Sequence, residues 1–259
     1  MSDTISTHIE NGVATLTLNR PKVFNSFNRE MAVALQSALD NAAANTEVRA
    51  IVITGEGKAF CAGQDLAEVS GPENPGFQSI LADHYNPIVR RIRDIEKPII
   101  AAVNGVAAGA GANIALCCDI VIAAESAAFI QAFSKIGLIP DSGGTYFLPR
   151  LIGFQKASAL MMLGEKVSAK DAERLGMIYQ VVSDEEFASA IKNTAEHVAQ
   201  MPTFGLALTK KALNSAMNNT FDQQLHLEEA LQIKAGRSAD YTEGVNAFME
   251  KRKPNFKGN

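Results

Sequence analysis

Residues 99–119, IIAAVNGVAAGAGANIALCCD, decide the reading of the chain. Ile99 to Val103 is an apolar run long enough for one buried strand. The run breaks at Asn104-Gly105, passes Gly109 and Gly111, and enters Ile114-Ala115-Leu116 as a helix start. A strand that turns sharply into a helix leaves free backbone N–H groups at the positive end of the helix dipole. The turn is built from Gly and Ala, so the main chain can approach a ligand oxygen and donate to it. Such a turn also serves plain packing of a helix on a sheet, and this stretch alone leaves both uses open.

A second stretch echoes the first. Ala50 to Thr54, AIVIT, is another buried-strand run, followed by Gly55-Glu56-Gly57 and the small-residue turn Ala59 to Asp65, AFCAGQD. Neighbouring parallel strands would set both turns at one sheet edge. Two backbone donors would then converge on one oxygen. The third informative stretch is Pro140-Asp141-Ser142-Gly143-Gly144-Thr145. Asp141 follows the apolar run Ile136 to Ile139 and precedes two glycines that start a helix. It reads as a helix N-cap, or as a carboxylate in an apolar site whose pKa is raised so that it can take up a proton.

The other segments set these three in order. Thr4 to Leu18 reads as two strands turned at Asn11-Gly12. Asn28 or Ser26 caps a helix over Met31 to Ala43. Ser70 to Gly76 reads as a mobile loop, and Phe77 to Ile95 as a helix that Pro87 kinks or splits. Short strands follow at Ile120 to Ala123 and Ala128 to Gln131. Beyond Gly143 the periodicity is helical, with Tyr179 to Val182 the one strand-like run. This order predicts an α/β core over residues 1–200 and a helical region over 201–259.

Composition narrows the function classes. The chain has 259 residues, a formal net charge of -4 and 47% hydrophobic residues. That charge argues against nucleic acid as a partner. Cys61, Cys117 and Cys118 suggest neither a disulfide frame nor a zinc site. Met1-Ser2-Asp3-Thr4 lacks a charged-then-apolar signal and no run reaches membrane-spanning length, so a cytoplasmic protein is expected, without a membrane partner. Asp-Ser-Gly occurs once, whereas an aspartic protease needs a carboxylate pair. His8, His84, His197 and His226 stand in no context that suits a trypsin-like triad. Gly109-Ala110-Gly111 lacks the third glycine of a dinucleotide loop, and no metal-ligand spacing is present.

The residues resemble the crotonase family, the enoyl-CoA hydratase/isomerase superfamily. Ala59-Phe60-Cys61-Ala62-Gly63-Gln64-Asp65-Leu66, Ala101-Ala102-Val103-Asn104-Gly105 and Ile139-Pro140-Asp141-Ser142-Gly143-Gly144-Thr145 carry the match, which runs from Leu16 to Phe256. The resemblance implies the crotonase fold of repeated ββα units with a C-terminal helical trimerisation region, and a homotrimer or dimer of trimers. It implies an acyl-CoA thioester substrate, with coenzyme A part of the substrate and no separate cofactor. The oxyanion hole would fall on the backbone N–H groups of Gln64 and Ala110. The CoA part would lie along Lys22, Val23 and Phe24 and along Ala62, Gly63, Gln64, Asp65 and Leu66. The acyl group would reach Asn113, Phe133 and Asp141.

The departures from the family pattern matter as much. Hydratases of this family use two glutamates to add water, and aligning the glycines puts those positions at Asn113 and Phe133. Neither can act as acid or base. Asp141 remains as a single carboxylate beside an oxyanion hole, which suits a 1,3-proton shift that moves a double bond. The segments Tyr85 to Arg91, Ala132 to Asp141 and Ala235 to Tyr241 are similar to ring-expanding isomerases of this family. That likeness implies conversion of a phenylacetyl-CoA ring epoxide to a seven-membered oxepin thioester, together with a shift of 3-enoyl to 2-enoyl thioesters. A fatty-acid Δ3-Δ2 isomerase, a hydratase and a non-catalytic acyl-CoA binding protein are the competing expectations.

Overall fold

A computed structural model describes residues 3–71 and 74–259. The hairpin forms where Asn11-Gly12 places it. Strands β1 (Ile5–Glu10) and β2 (Val13–Leu18) pair antiparallel, with Asn11 at φ 51 and Gly12 at φ 79, as a tight hairpin turn requires. Helix α1 (Arg29–Ala44) is capped by Asn28, whose side chain accepts from Met31 N, and it buries Met31, Ala32, Leu35, Leu39 and Ala42. Strand β3 (Ala50–Gly55) runs parallel to β2.

The two small-residue turns are more than turns. Ala59–Cys61 forms a strand, β4, before the turn proper, and the short helix α2 (Leu66–Ser70) follows. The expected loop over 70–76 includes Pro72 and Glu73, which lie outside the described residues. The predicted helix over 77–95 is split. Helix α3 (Gly76–Ser79) passes into a π-helical stretch, Ile80–Tyr85, and then into α4 (Asn86–Asp94). Asn86 N donates to Leu81 O, and Pro87, which has no N–H to offer, sits in the first turn of α4.

Strand β5 (Ile99–Val103) does not turn straight into a helix, as its sequence suggests. The chain turns at Asn104-Gly105 into a further strand, β6 (Val106–Ala108), and only then enters α5 (Ala110–Leu116). Val-Ala-Ala is too short to show a period. It becomes a strand because β4 and β8 flank it. Strand β7 (Ile120–Ala124) and β8 (Ala128–Ile130) come next, then a 3-10 turn, Ala132–Ile136. Helices α6 (Gly144–Ile152) and α7 (Phe154–Leu163) follow. Strand β9 (Lys166–Ser168), absent from the sequence reading, pairs antiparallel with β8. The remaining elements are α8 (Ala169–Arg174), β10 (Gln180–Val182), α9 (Phe187–Ala199), α10 (Thr203–Ala216), α11 (Phe221–Ala235) and α12 (Ala239–Met249).

Two sheets result. The larger has the order β1-β2-β3-β5-β7-β10 and the smaller β4-β6-β8-β9. Each ββα unit gives its first strand to the large sheet and its second to the small one: β3 and β4, β5 and β6, β7 and β8. The main core lies between them and the helices, with Leu16, Met31, Ile53, Phe60, Ile88, Ile114 and Phe129 inside. A charged cluster ties the C-terminal helices to this core. Asp119 accepts from Ile99 N at 2.9 Å, from Arg93 at 3.0 Å and from Lys210 at 2.8 Å, which joins α4, β5 and α10. No helix among the described residues is long and apolar enough to cross a membrane.

Candidate active site

Strands β4 and β6 are parallel neighbours, so the turns that follow them meet. Gly63, at φ +93, leaves no room for a side chain. A Cβ there would stand 3.0 Å from Ala108 O and 3.5 Å from Ala110 N. The main chain of the first turn therefore rests against the entrance of α5. Gly111 does the same from the other side, since a Cβ would meet Cys61 O at 2.4 Å. Ala110 is the first residue of α5, so its N–H has no partner within the helix. Gln64 is bridged by Phe27, which donates to Gly63 O at 2.7 Å and accepts from Asp65 N at 2.8 Å. That bridge uses the peptides on either side of Gln64. Among the described residues neither Gln64 N nor Ala110 N donates to a protein acceptor. Helix α5 has only seven residues, so the local amide, rather than a long helix dipole, supplies the positive end.

The segment predicted to hold the CoA part is pinned to the same turn. Ala62 N donates to Phe24 O at 3.0 Å. Asn25 Nδ2 donates to Glu56 O and Ala59 O. Arg20 donates to Ser26 O at 2.5 Å and to Asp65 Oδ2 at 2.9 Å. Lys22, Val23, Phe24 and Leu66 are exposed along this edge, while Ala62, Gln64 and Asp65 are half-buried and Gly63 is buried.

Asp141 stands on the loop before α6. The helix-cap reading of it does not hold. The cap position belongs to Gly143, at φ 77, and no side chain bonds there. The carboxylate instead accepts from Ser142 Oγ at 2.9 Å. The Asp141 main-chain carbonyl accepts from Gly144 N and from Asn113 Nδ2, both at 2.9 Å. Burial raises the Asp141 carboxyl from 3.8 to about 6, against the opposing bonds from Ser142 and from its own N–H. The carboxyl is half-buried, and its charge also acts on Tyr85, which in turn bonds Gln64 at 2.7 Å. Asp141 and the Gln64 turn thus share one neighbourhood.

The two positions at which the family resemblance leads one to expect a hydratase's glutamates hold no acid. Asn113 is fully buried. It donates to Asp141 O and accepts from Gln131 Nε2 at 2.8 Å. Phe133 is buried, with its Cζ 3.8 Å from where a Cβ on Gly109 would stand, so its ring walls the turn. Burial pushes the Cys61 and Cys117 thiols up to about 12, which keeps both protonated and poor nucleophiles. Among the described residues no group of His, Cys, Asp or Glu could hold a metal. His8, His197 and His226 are exposed, and His84 is buried.

The sequence reading passed over Gln131, Glu68 and the role of Tyr85. Gln131 sits in an apolar run, FIQAF, and a lone polar residue there carries no spacing signal. Only the approach of β8 to α5 reveals its partner.

Residues 8–259 match the family model described as Enoyl-CoA hydratase/isomerase. The chain is 52% identical, over the full length of both, to the 1,2-epoxyphenylacetyl-CoA isomerase of Escherichia coli (strain K12). It is 46% identical, over 98% of each chain, to a Rhodobacter capsulatus protein named as a probable enoyl-CoA hydratase. The crystal structure of an enoyl-CoA hydratase from Polaromonas sp. JS666 superposes with a TM-score of 0.91 at 36% identity, covering 97% of this chain and 99% of the other.

Proposed function

This chain belongs to the enoyl-CoA hydratase/isomerase family, and on that footing we propose that it is an acyl-CoA isomerase with Asp141 as its acid/base. The observation that carries the reading is the half-buried carboxyl of Asp141, raised to about 6, while the two positions where the family resemblance leads one to expect a hydratase's glutamates hold Asn113 and Phe133. An anionic Asp141 takes a proton from carbon two of the thioester. The electron pair moves into the carbonyl, and the enolate oxygen is held by Gln64 N–H and Ala110 N–H. The carboxylic acid then returns the same proton to carbon four, which moves the double bond from the 3 to the 2 position. Proton and charge balance without an external acid.

The substrate we assign is 1,2-epoxyphenylacetyl-CoA: its epoxide opens to the oxepin as the carbon–carbon bond shared by the two rings breaks, and Asp141 moves the α-proton to the ring carbon γ to the thioester carbonyl, the same 1,3-shift that 3-enoyl thioesters undergo as a second class. Likeness to the Escherichia coli isomerase supports it, as does the apolar wall that Phe133 offers a ring. The CoA part lies along Lys22, Val23 and Phe24 and along the Ala62 to Leu66 turn. Exposed apolar side chains on α10 to α12, among them Leu213, Phe221, Ile233 and Phe248, support assembly as a homotrimer or dimer of trimers.

Turnover of 1,2-epoxyphenylacetyl-CoA and of a 3-enoyl thioester by the wild type and by Asp141→Asn is the test. Loss of turnover with retained thioester binding supports the assignment, and full activity in Asp141→Asn overturns it. Fast hydration of crotonyl-CoA would instead return the protein to the hydratases.

A further inference from the structure

The side chain of Gln64 is tied down at both ends. Tyr85 Oη lies 2.7 Å from Gln64 Oε1, and Gln64 Nε2 lies 2.7 Å from Glu68 Oε2. The second oxygen of Glu68 accepts from Arg29 N, at the start of α1, at 2.8 Å. A carboxylate only accepts, so Glu68 determines which end of the carboxamide is nitrogen. The other end is then an acceptor, and the Tyr85 hydroxyl must be its donor. The direction of each proton in this chain follows.

Tyr85 is fixed by its own surroundings. It is 1% exposed, and a buried phenol needs a partner for its O–H. Its ring meets Phe27 edge-on, with centroids 5.8 Å apart and planes at 83°. Phe27 is the residue that bridges the peptides flanking Gln64. Ring and hydroxyl of Tyr85 therefore press on the main chain and the side chain of one residue. Burial first, then Cys61, Asp141, Glu68 and Asp65, hold the hydroxyl well above its ordinary value of 10, so it remains a donor. Tyr85 also closes the π-helical stretch Ile80–Tyr85, a local form found often at functional sites.

We propose that Tyr85 is a positioning residue for the oxyanion hole: acting through Gln64 Oε1, with Glu68 at the other end of the carboxamide, it fixes the Gln64 peptide so that its N–H faces the thioester carbonyl. The proposal rests on the assignment of Gln64 N–H and Ala110 N–H to the enolate oxygen. Donors stabilise a developing charge only when already aimed at it, because reorganising them during the reaction costs part of the gain. Tyr85 touches no reacting atom and moves no proton to substrate.

The test uses a thioester that can be neither hydrated nor isomerised, butyryl-CoA labelled with 13C at the carbonyl. Its infrared stretch reports the pull of the two amides directly. Binding to the wild type is expected to lower the frequency. Tyr85→Phe keeps the ring on Phe27 and removes only the hydroxyl. It is expected to lose at least about half of that lowering, and its kcat on a 3-enoyl thioester to fall by about 10–100-fold, less than the loss of a whole oxyanion donor costs, with KM changed far less. Gln64→Met removes the same anchor together with the bond to Glu68, and is expected to lose at least as much if Tyr85→Phe does not fold. The double variant should be no worse than Gln64→Met, because Tyr85 acts only through the Gln64 side chain. A full carbonyl shift in Tyr85→Phe, or additive losses, overturns the role of Tyr85. No shift in the wild type overturns the amide pair and this proposal with it. Asp141→Asn should show the full shift without turnover, which separates failure of the base from failure of the hole.

Discussion

Asn113 Nδ2 donates to the main-chain carbonyl of Asp141 across 2.9 Å, while Asn113 Oδ1 accepts from Gln131 Nε2 across 2.8 Å. A carbonyl can only accept, so both carboxamides have one allowed orientation. Helix α5, which presents the Ala110 amide, is thereby joined to the loop that presents the carboxyl. Gly144 makes the joint possible, since a Cβ there would lie 2.3 Å from Asn113 Nδ2. Gln131 Oε1 is buried without a hydrogen-bond partner among the described residues.

Gln131→Leu should destabilise the protein by about 1–3 kcal/mol, because it strands Asn113 Oδ1 in the core. Asn113→Leu/Gln131→Leu removes both polar groups and should recover much of that stability. Turnover should stay low in the pair, since the Asp141 loop has lost its tie. Urea unfolding and initial rates read the two effects separately. Recovery of activity along with stability would show that the tie serves folding alone.

Activity should follow the ionisation of Asp141. In the proposed mechanism the carboxyl acts as the anion, and burial raises it to about 6. For a 3-enoyl substrate kcat/KM should fall about tenfold per pH unit below that value and level off above it. A limb near pH 4, where an ordinary aspartate titrates, would mean that the carboxyl is not raised, and a limb at either value that persists in Asp141→Asn would place the base elsewhere.

The same carboxyl makes the fold pH-dependent in the opposite sense from a salt-bridged aspartate. Its native value lies above the unfolded one of 3.8, so between the two the native state holds the proton more tightly. Its contribution to stability is present in full below about pH 4 and is lost as pH rises through about 6. Above pH 6 the buried charge costs at most about 3 kcal/mol. Asp141→Asn should therefore be more stable than the wild type at pH 8 and no more stable at pH 4. Urea midpoints at the two pH values decide it, and equal midpoints at pH 8 would mean that the carboxyl is well solvated.

Gly111→Ala should damage both fold and activity. The added methyl meets Cys61 O at 2.4 Å and Cys61 Sγ at 2.7 Å, and a backbone oxygen cannot swing away. Overpacking of this kind costs about 1–3 kcal/mol or more, and any relief moves the Ala110 amide. Adding Cys61→Ala should not rescue it, because the main-chain clash remains. Thermal unfolding and kcat of both variants are the measurements.

Asp119→Ala should cost about 3–5 kcal/mol, the usual penalty for leaving a buried charge unpaired. Lys210 is 7% exposed and loses its carboxylate, and Ile99 N at the edge of β5 loses its acceptor. Asp119→Ala/Lys210→Met should recover part of the loss. Denaturation midpoints of the single and double variants test this, and no recovery would mean that the bond to Ile99 dominates.

Long periodic segments were legible in the sequence alone. The hairpin at Asn11-Gly12, the Asn28 cap and the split at Pro87 each follow from a local rule that the folded chain obeys. Three-residue strands were not. β4, β6 and β9 are too short to show alternation, and pairing alone makes them strands. The same division runs through the site. Asp141 and the small-residue turns that hold Gln64 and Ala110 stand out, and the family resemblance singles out those two amides. Tyr85, Glu68 and Gln131 do not, because their meaning lies in partners 21, 4 and 18 residues away.

By itself the sequence determined the opening hairpin, the small-residue turns and the absence of acid at Asn113 and Phe133, because backbone freedom and side-chain chemistry are local properties. Only the tertiary structure decided that Asp141 is no helix cap, that its carboxyl is held near pH 6, and that Tyr85 braces Gln64. Burial and hydrogen bonding across separate elements exist only once the two sheets have brought those elements together.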